Sequence, residues 1–565
     1  MSAEVESPRR PFIWTIALVL IFFSAVAPTL RWLEFSNSME NLNVGTALEI
    51  RRGGPRLVPT LEGRRRIEKP PLTAWITSLG IRPSTLSRLD EPDPAARAQA
   101  YQRLAFDVRW TALLAACFTL LATYALARSV ADARTGLVAV AICASCYFFL
   151  RFSRFAMTDV QLMLWVTIAN VFLARMVLDG VTWRNSLCGG AAIGLAFMSK
   201  GPVAFVLSLL PAIVFVGMRM LRQRHDSGAA RRPIKWSAVI GGAAVLLIVG
   251  LWWFALVGAQ DHEIVKTWLS ETNPAGGERT RSDNPVTYLL ILPFMLPWAA
   301  YIVDRCGRAV AAIAKSSHDD DWRAAYPVVF LIVALLVMSC FTDRKDRYLL
   351  PLVPMAALVA AQSAMRLLQR RKDALPDWSH WGMLIIFGLL PVLGATTIAV
   401  KNASGLAWYS RATAIAAATG GLAIVTLGFV ISRRWRAVGM IGSAFLLMMF
   451  LQVIGILGYA TSREGRSEFR PLAELIRRDY PDAEMYNWRA DGQAKRASVD
   501  LSIYLNRITR WIPDPAALPR SDRPQIYVKP QDKGDPDPEP APGWKFLHKM
   551  HRDKGWYVAF VRKSS

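Results

Sequence analysis

Seven basic side chains stand where a membrane-spanning chain ordinarily avoids them. Lys69, Arg151, Arg154, Lys200, Arg344, Lys345 and Arg347 lie outside long apolar runs or at their outer boundary, whereas Lys and Arg normally gather in short cytoplasmic loops. Cations kept at head-group depth against that rule suit an anionic ligand, and a phosphate at the outer leaflet is the simplest one. The plainer alternative is long side chains snorkelling to solvent. Carboxylates accompany them at the same level: Glu40, Glu68, Asp159, Glu271, Asp343 and Asp346. Asp159 opens an apolar run just after Met157 and Thr158. An ionisable group at a membrane boundary is a functional candidate, unless Thr158 or Asp159 merely caps the helix. A carboxylate in a cationic pocket stays near its charged form and can serve as a base.

The elements that must position these groups are membrane helices. The chain has 565 residues, 53% of them hydrophobic, with 20 Trp and a mean hydropathy of +0.26. Its apolar residues fall in long runs, the mark of a chain solvated by lipid. About thirteen candidate spans are read, at 12–32, 109–128, 135–150, 159–179, 185–200, 201–218, 236–258, 285–304, 326–342, 349–366, 381–400, 412–432 and 437–460. With a cytoplasmic N-terminus, this count puts three basic loops inside: Arg219 to Lys235, Arg366 to Lys372, and Arg433 to Arg436. The formal charge of +24 is thus accounted for by cytoplasmic loops, and no nucleic-acid partner is implied. The odd number exports the C-terminal tail. The first run, Ile13 to Leu30, follows Arg9 and Arg10 and reads as a retained signal anchor.

Two polar regions then face outward, the loop 33–108 and the tail 461–565. In the loop, Glu40 to Arg52 has helical character, and Pro70 to Leu79 is suited to the membrane interface. The tail reads as a small α/β domain, with a helix over Pro471 to Arg478 and strands over Gln525 to Lys529 and Trp556 to Val561. Leu501 to Leu505 reads as extended or helical, and a Pro- and Asp-rich linker runs from Asp532 to Pro542. All six cysteines lie in or beside apolar runs, which argues against a disulfide framework. No clustered ligand set points to a metal, and no P-loop, GxSxG or HExxH motif occurs.

Ordered motifs add a resemblance. Glu40 to Ile76 reads ENLNVGTALEIRRGGPRLVPTLEGRRRIEKPPLTAWI; RFAMTD ends at Asp159, MSKGP spans Met198 to Pro202, and RKDRYLLPLVP spans Arg344 to Pro354. This series, over about residues 12–370, resembles the GT-C glycosyltransferases of the protein-O-mannosyltransferase and aminoarabinose-transferase superfamily (glycosyltransferase family 39-like). The resemblance implies an all-α polytopic membrane module of GT-C type over 1–370, further transmembrane helices over 371–460 and a periplasmic α/β domain over 461–565. It also implies a bacterial inner-membrane enzyme that moves a sugar from a polyprenyl-phosphate donor to an outer-face acceptor, with inversion and without cofactor or metal. Lys69 and Tyr348 match positions the family uses at the phosphate. Where the family commonly has an Asp before the Glu of its acidic motif, this chain has Met39, and Leu42 and Asn43 stand at its Arg and Tyr positions.

The expected site is therefore Glu40 or Asp159 as the base that orients the acceptor. Lys69, with Arg344, Lys345, Arg347 and Tyr348, would hold the phosphate, and Glu68, Lys200 and Glu271 would stand nearby. Membrane lipid and the lipid-linked sugar are the expected partners, with a glycolipid, polysaccharide or protein as acceptor. Two other classes fit the same features: a binder of lipid-linked sugar that does no chemistry, and a transporter or flippase. The absence of repeated halves weighs against the last.

Overall fold

The structure is a computed structural model. It describes residues 9–223, 234–260, 265, 268, 288–289, 291–315, 319–341, 344–369, 441–457, 459–460, 466–467, 469–488, 499–512, 514–532, 539–552 and 555–563. The candidate spans 381–400 and 412–432 lie outside the described residues, as do Glu271 and Asp343.

Among the described residues, twelve helices come first: α1 Arg9–Val26, α2 Ser38–Arg51, α3 Leu72–Gly80, α4 Pro83–Leu86, α5 Pro94–Val130, α6 Ala133–Ser145, α7 Tyr147–Phe152, α8 Thr158–Leu178, α9 Trp183–Lys200, α10 Val203–Val206, α11 Leu209–Gln223 and α12 Trp236–Gly258. Helices Ala299–Lys315, Asp319–Ser339 and Val353–Gln369 follow, the last preceded by a 3-10 turn, Asp346–Leu352. Among the described residues, seven helices are long and apolar enough to cross a membrane. The chain is a multi-pass membrane protein.

The chain divides into two compact units. The first comprises residues 1–29, 68–72 and 112–458, and its described residues form mostly apolar helices. Glycines let α9 and α12 approach closely: a Cβ on Gly190 would sit 2.1 Å from the Gly242 carbonyl oxygen. Small residues at such crossings let two backbones pack where lipid offers no hydrophobic drive. Two candidate spans differ from expectation. The span 135–150 breaks at Cys146, between α6 and α7. The break is held by a neighbouring segment, where Tyr147 N donates to Leu296 O at 3.2 Å and Trp298 Nε1 to Ser145 Oγ at 2.9 Å. Irregular backbone in a membrane module requires such protein partners. That same segment divides the span 285–304, whose helices are Ile291–Phe294 and Ala299–Lys315.

The second unit comprises residues 30–67, 73–111 and 459–565. Its tail holds a five-stranded mixed sheet in the order β4-β3-β5-β7-β6, with β3 Glu484–Trp488, β4 Arg510–Ile512, β5 Gln525–Asp532, β6 Lys545–Arg552 and β7 Gly555–Arg562. Strand β3 pairs parallel with β4 and β5, while β7 pairs antiparallel with β5 and β6. Its core joins Tyr486, Ile512, Tyr527, Trp544, Val558 and Phe560. Leu501 to Leu505 is helical, within Val499–Leu505.

This division differs from the boundaries read in the sequence, because the polar loop belongs with the tail. Loop and tail satisfy each other's buried polar groups: Asn41 Nδ2 donates to Asp500 Oδ1 at 2.6 Å, Phe35 N to the Tyr504 hydroxyl at 2.9 Å, and Arg470 Nη1 to Glu34 Oε1 at 2.7 Å. A two-stranded hairpin, β1 Thr60–Leu61 and β2 Arg64–Arg65, turns through Glu62 and Gly63, both at positive φ (55° and 75°). Glycine accepts this geometry freely, and glutamate does not. The Glu62 carboxylate accepts from Asn487 Nδ2 at 2.7 Å, Thr509 Oγ1 at 2.8 Å and Trp511 Nε1. Burial pushes this carboxyl up to about 7, against the three hydrogen bonds, which favour its charged form.

Candidate functional site

Helix α8 begins without a side-chain cap at Met157, so Asp159 in its first turn is not occupied in capping. Its carboxylate is 2% exposed and meets two cations instead. Oδ1 accepts a direct hydrogen bond from Lys200 Nζ, and Oδ2 lies 3.7 Å from Arg347 Nε. Lys200 is the last residue of α9, ended by Gly201 at φ 74° and then Pro202. A lysine is favourable at a helix C-terminus and the carboxylate at the α8 N-terminus, so the two helix ends suit the pair. Arg347 comes from the 3-10 turn.

Tyr348 completes the group. Its ring faces Lys200 Nζ at 4.0 Å, with the Arg347 and Lys345 cations at 5.2 Å and 5.9 Å from the ring centre, within cation–π range. Lys69, in the Glu68–Leu72 piece of the same unit, lies within electrostatic range of Lys200, while Glu68 beside it is exposed. Asp346 stands 3.8 Å from Arg151, and Arg344 Nη2 donates to Ser339 O at 2.7 Å. The structure thus brings together Asp159, Lys200, Arg347, Tyr348, Lys345 and Lys69.

Glu40 has a different setting, in the other unit. Asn37 caps α2, accepting from Met39 N at 3.0 Å and Glu40 N at 3.3 Å. The Glu40 carboxylate then forms a two-pronged pair with Arg109, Nε to Oε1 at 2.8 Å and Nη2 to Oε2 at 2.7 Å, both side chains 0% exposed. Arg109 also donates to the carbonyls of Leu30, Leu33 and Glu34 at 2.8, 2.6 and 3.2 Å. All five of its N–H donors are used. Sequence reasoning missed Arg109, because a lone Arg at the head of an apolar run reads as an ordinary flank.

Arg154 is a second buried cation. It is 1% exposed; Nε donates to Thr29 Oγ1 at 3.0 Å and Nη1 to Leu150 O, and Thr29 in turn donates to Val26 O at 2.6 Å. It therefore stitches the C-terminal ends of α1 and α7, whose carbonyls carry partial negative charge.

A buried carboxylate between two cations, with an aromatic ring and a further lysine, can orient a hydroxyl and receive its proton while cations meet an anionic leaving group. Comparisons with known proteins bear on that reading. The structure superposes on the crystal structure of ArnT from Cupriavidus metallidurans in the apo state with a TM-score of 0.69, at 16% identity and 97% coverage of each chain. It matches the same protein bound to undecaprenyl phosphate at 0.68, with 17% identity over 97% of this chain and 98% of that one. Residues 101–253 match the family model described as dolichyl-phosphate-mannose-protein mannosyltransferase. The chain has the GT-C fold of those structures. The chain is 27% identical over 333 residues to the undecaprenyl phosphate-alpha-4-amino-4-deoxy-L-arabinose arabinosyl transferase of Pseudomonas aeruginosa, covering 56% of this chain and 53% of that protein. The enzyme of the same name from Pseudomonas paraeruginosa is 28% identical over 341 residues, 57% and 54% of the two chains. The chain thus aligns with about half the length of the curated relatives it matches.

Proposed function

We propose that the chain is an integral membrane glycosyltransferase that moves a sugar from a polyprenyl-phosphate donor to an acceptor on the periplasmic face of a bacterial inner membrane. The observation that carries this reading is the Asp159–Lys200–Arg347–Tyr348 group, a buried carboxylate faced by cations within a GT-C membrane bundle. The relatives' names, which specify an undecaprenyl-phosphate-linked sugar, support the donor class. Basic residues in the last turns of α5, α8 and α11 (Arg128, Arg175 and Arg222) support placing those ends in the cytoplasm. In this reading the N-terminus lies in the cytoplasm and the tail in the periplasm.

Asp159 is the base in this mechanism. The acceptor hydroxyl gives its proton to the carboxylate as its oxygen bonds to the anomeric carbon from the face opposite the phosphate. The bond from the anomeric carbon to the phosphate oxygen breaks, and its electron pair leaves with the polyprenyl phosphate, so the configuration inverts. The phosphate gains a negative charge in that step, which Lys69, Arg347 and the Tyr348 hydroxyl meet, with Lys345 and Arg344 on the same segment. Glu40 is assigned a holding role, since Arg109 engages both of its oxygens. The acceptor class is a glycolipid, a polysaccharide or a protein hydroxyl.

Transfer from polyprenyl-phosphate sugars by the purified protein tests this. Asp159→Asn and Lys69→Ala are each expected to lose at least 100-fold in turnover, on the order of a general-base or charge-stabilising contribution. Full activity in Asp159→Asn would remove the base, and full activity in Lys69→Ala the phosphate site. A binder of lipid-linked sugar without turnover is the second reading, favoured by Met39 at the family's acidic position; retention of donor with no transfer to any acceptor would establish it.

A further inference from the structure

We infer that Arg347 is shared between two anions, the Asp159 carboxylate and the donor phosphate, so that donor binding frees Asp159 for the acceptor. The inference rests on the donor and base assigned above and adds an order of events to them.

The Arg347 side chain is only 14% exposed. A guanidinium carries five N–H donors, yet among the described residues those of Arg347 make no hydrogen bond. The carboxylate facing it is Asp159, at 3.7 Å, beyond the 2.7–3.2 Å of a hydrogen bond. A cation so far removed from water is costly unless oxygen atoms engage its donors. Asp346 does not supply them, because it accepts from the Arg347 backbone N–H at 2.7 Å and faces Arg151 at 3.8 Å.

Lys200 is fixed by comparison. Its Nζ donates directly to Asp159 Oδ1 and rests on the Tyr348 ring. The two cations therefore divide the carboxylate: Lys200 holds Oδ1, and Arg347 stands loosely before Oδ2. A phosphate offers the planar fork of a guanidinium the two-pronged bond it lacks. Once Arg347 turns to that phosphate, Oδ2 is open to an acceptor hydroxyl, and Oδ1 stays anchored. The donor binds first and the acceptor second, and a hydroxyl or water arriving without the donor meets an occupied base.

Two anions competing for one cation leave a thermodynamic signature. Undecaprenyl phosphate is the probe, titrated against the purified full-length protein in nanodiscs. Asp159→Asn removes the competitor and is expected to tighten binding about five- to tenfold, the scale of one partly buried ion pair. In an Arg347→Gln background the same substitution is expected to change affinity by less than about twofold, and an Arg347→Lys background to keep part of the gain. A gain of equal size with and without Arg347 would show general charge repulsion and overturn the sharing. A gain that survives Arg347→Gln but disappears in Lys200→Gln would assign the shared cation to the lysine and overturn it too, as would no gain at all. Failure of the wild-type protein to bind the probe would instead remove the donor assignment, and this inference with it. Matching melting curves across the variants exclude misfolding as the cause.

Discussion

Truncating Glu40 separates its two conceivable roles, base and structural anchor. In the folded protein, Glu40 and Arg109 are wholly buried and joined by two hydrogen bonds of 2.7 and 2.8 Å. Glu40→Ala leaves the guanidinium in place with its three carbonyl partners but without the carboxylate that both prongs engage. Breaking a buried pair from one side costs about 3–5 kcal/mol, and the three remaining carbonyl bonds put the expected value near the lower end, about 3 kcal/mol. That is a large fraction of a stability that is typically about 5–15 kcal/mol. The assay is thermal or chaotrope unfolding of the purified protein, followed through protease sensitivity of the loop 33–108, alongside turnover per folded molecule. The expected result is a marked loss of stability in Glu40→Ala and in Arg109→Ala, with turnover of the folded fraction within about threefold of wild type. The paired substitution Glu40→Met with Arg109→Met removes both charges and should recover most of the loss, because a buried ion pair and a well-packed apolar pair are close in stability. A Glu40→Gln protein with unchanged stability and a 100-fold lower turnover would refute the reasoning and make Glu40 the base.

Glu62 predicts the pH dependence of the polar unit. Its carboxyl rises from 4.5 to about 7 on folding, so the folded state holds a proton that the unfolded state releases. The stabilisation is complete below about 4.5 and is lost as the pH rises through about 7, up to about 3 kcal/mol in all, at about 1.4 kcal/mol per unit. Unfolding followed from pH 5 to pH 8 should show this decline, and Glu62→Gln should flatten it; an equal slope in both proteins would assign the decline elsewhere. Gly190→Ala is expected to force α9 from α12, since its Cβ would meet the Gly242 carbonyl oxygen at 2.1 Å. Folded yield should fall severalfold, whereas Gly217→Ala in α11, with nothing within 4 Å, should cost little. Equal yields of the two proteins would show that the crossing yields without penalty.

Much of the architecture was legible because its causes are local. The run Trp236–Gly258 is apolar along its whole length and is one helix. The candidate at 159–179 is α8 within a residue at either end, and the predicted end at Lys200 is set by Gly201 and Pro202. The break at Cys146 carries no Pro or Gly signal; it depends on bonds to residues 296 and 298, far along the chain. Strands β3, β4 and β6 went unread, since short tail segments without strict alternation gain their pairing from neighbours distant in sequence. The site was half legible. Asp159, Lys69 and Arg347 stood out as charged groups beside apolar runs, and Tyr348 only through the family resemblance. Lys200, read as one of the out-of-place cations with no partner assigned, is the direct partner of Asp159.

The sequence by itself determined that this chain lives in lipid, which basic residues stand at the boundaries of apolar runs, and which carboxylates lie at their level. Hydropathy and charge act residue by residue, so a linear reading captures them. Tertiary structure decided which carboxylate meets which cation. Glu40 and Asp159 look alike in the sequence, but Arg109, 69 residues on, fully engages the first, while Lys200 and Arg347 leave one oxygen of the second loosely held. Such pairing depends on distances of a few ångströms between helix ends brought together by folding, and sequence separation carries no trace of it.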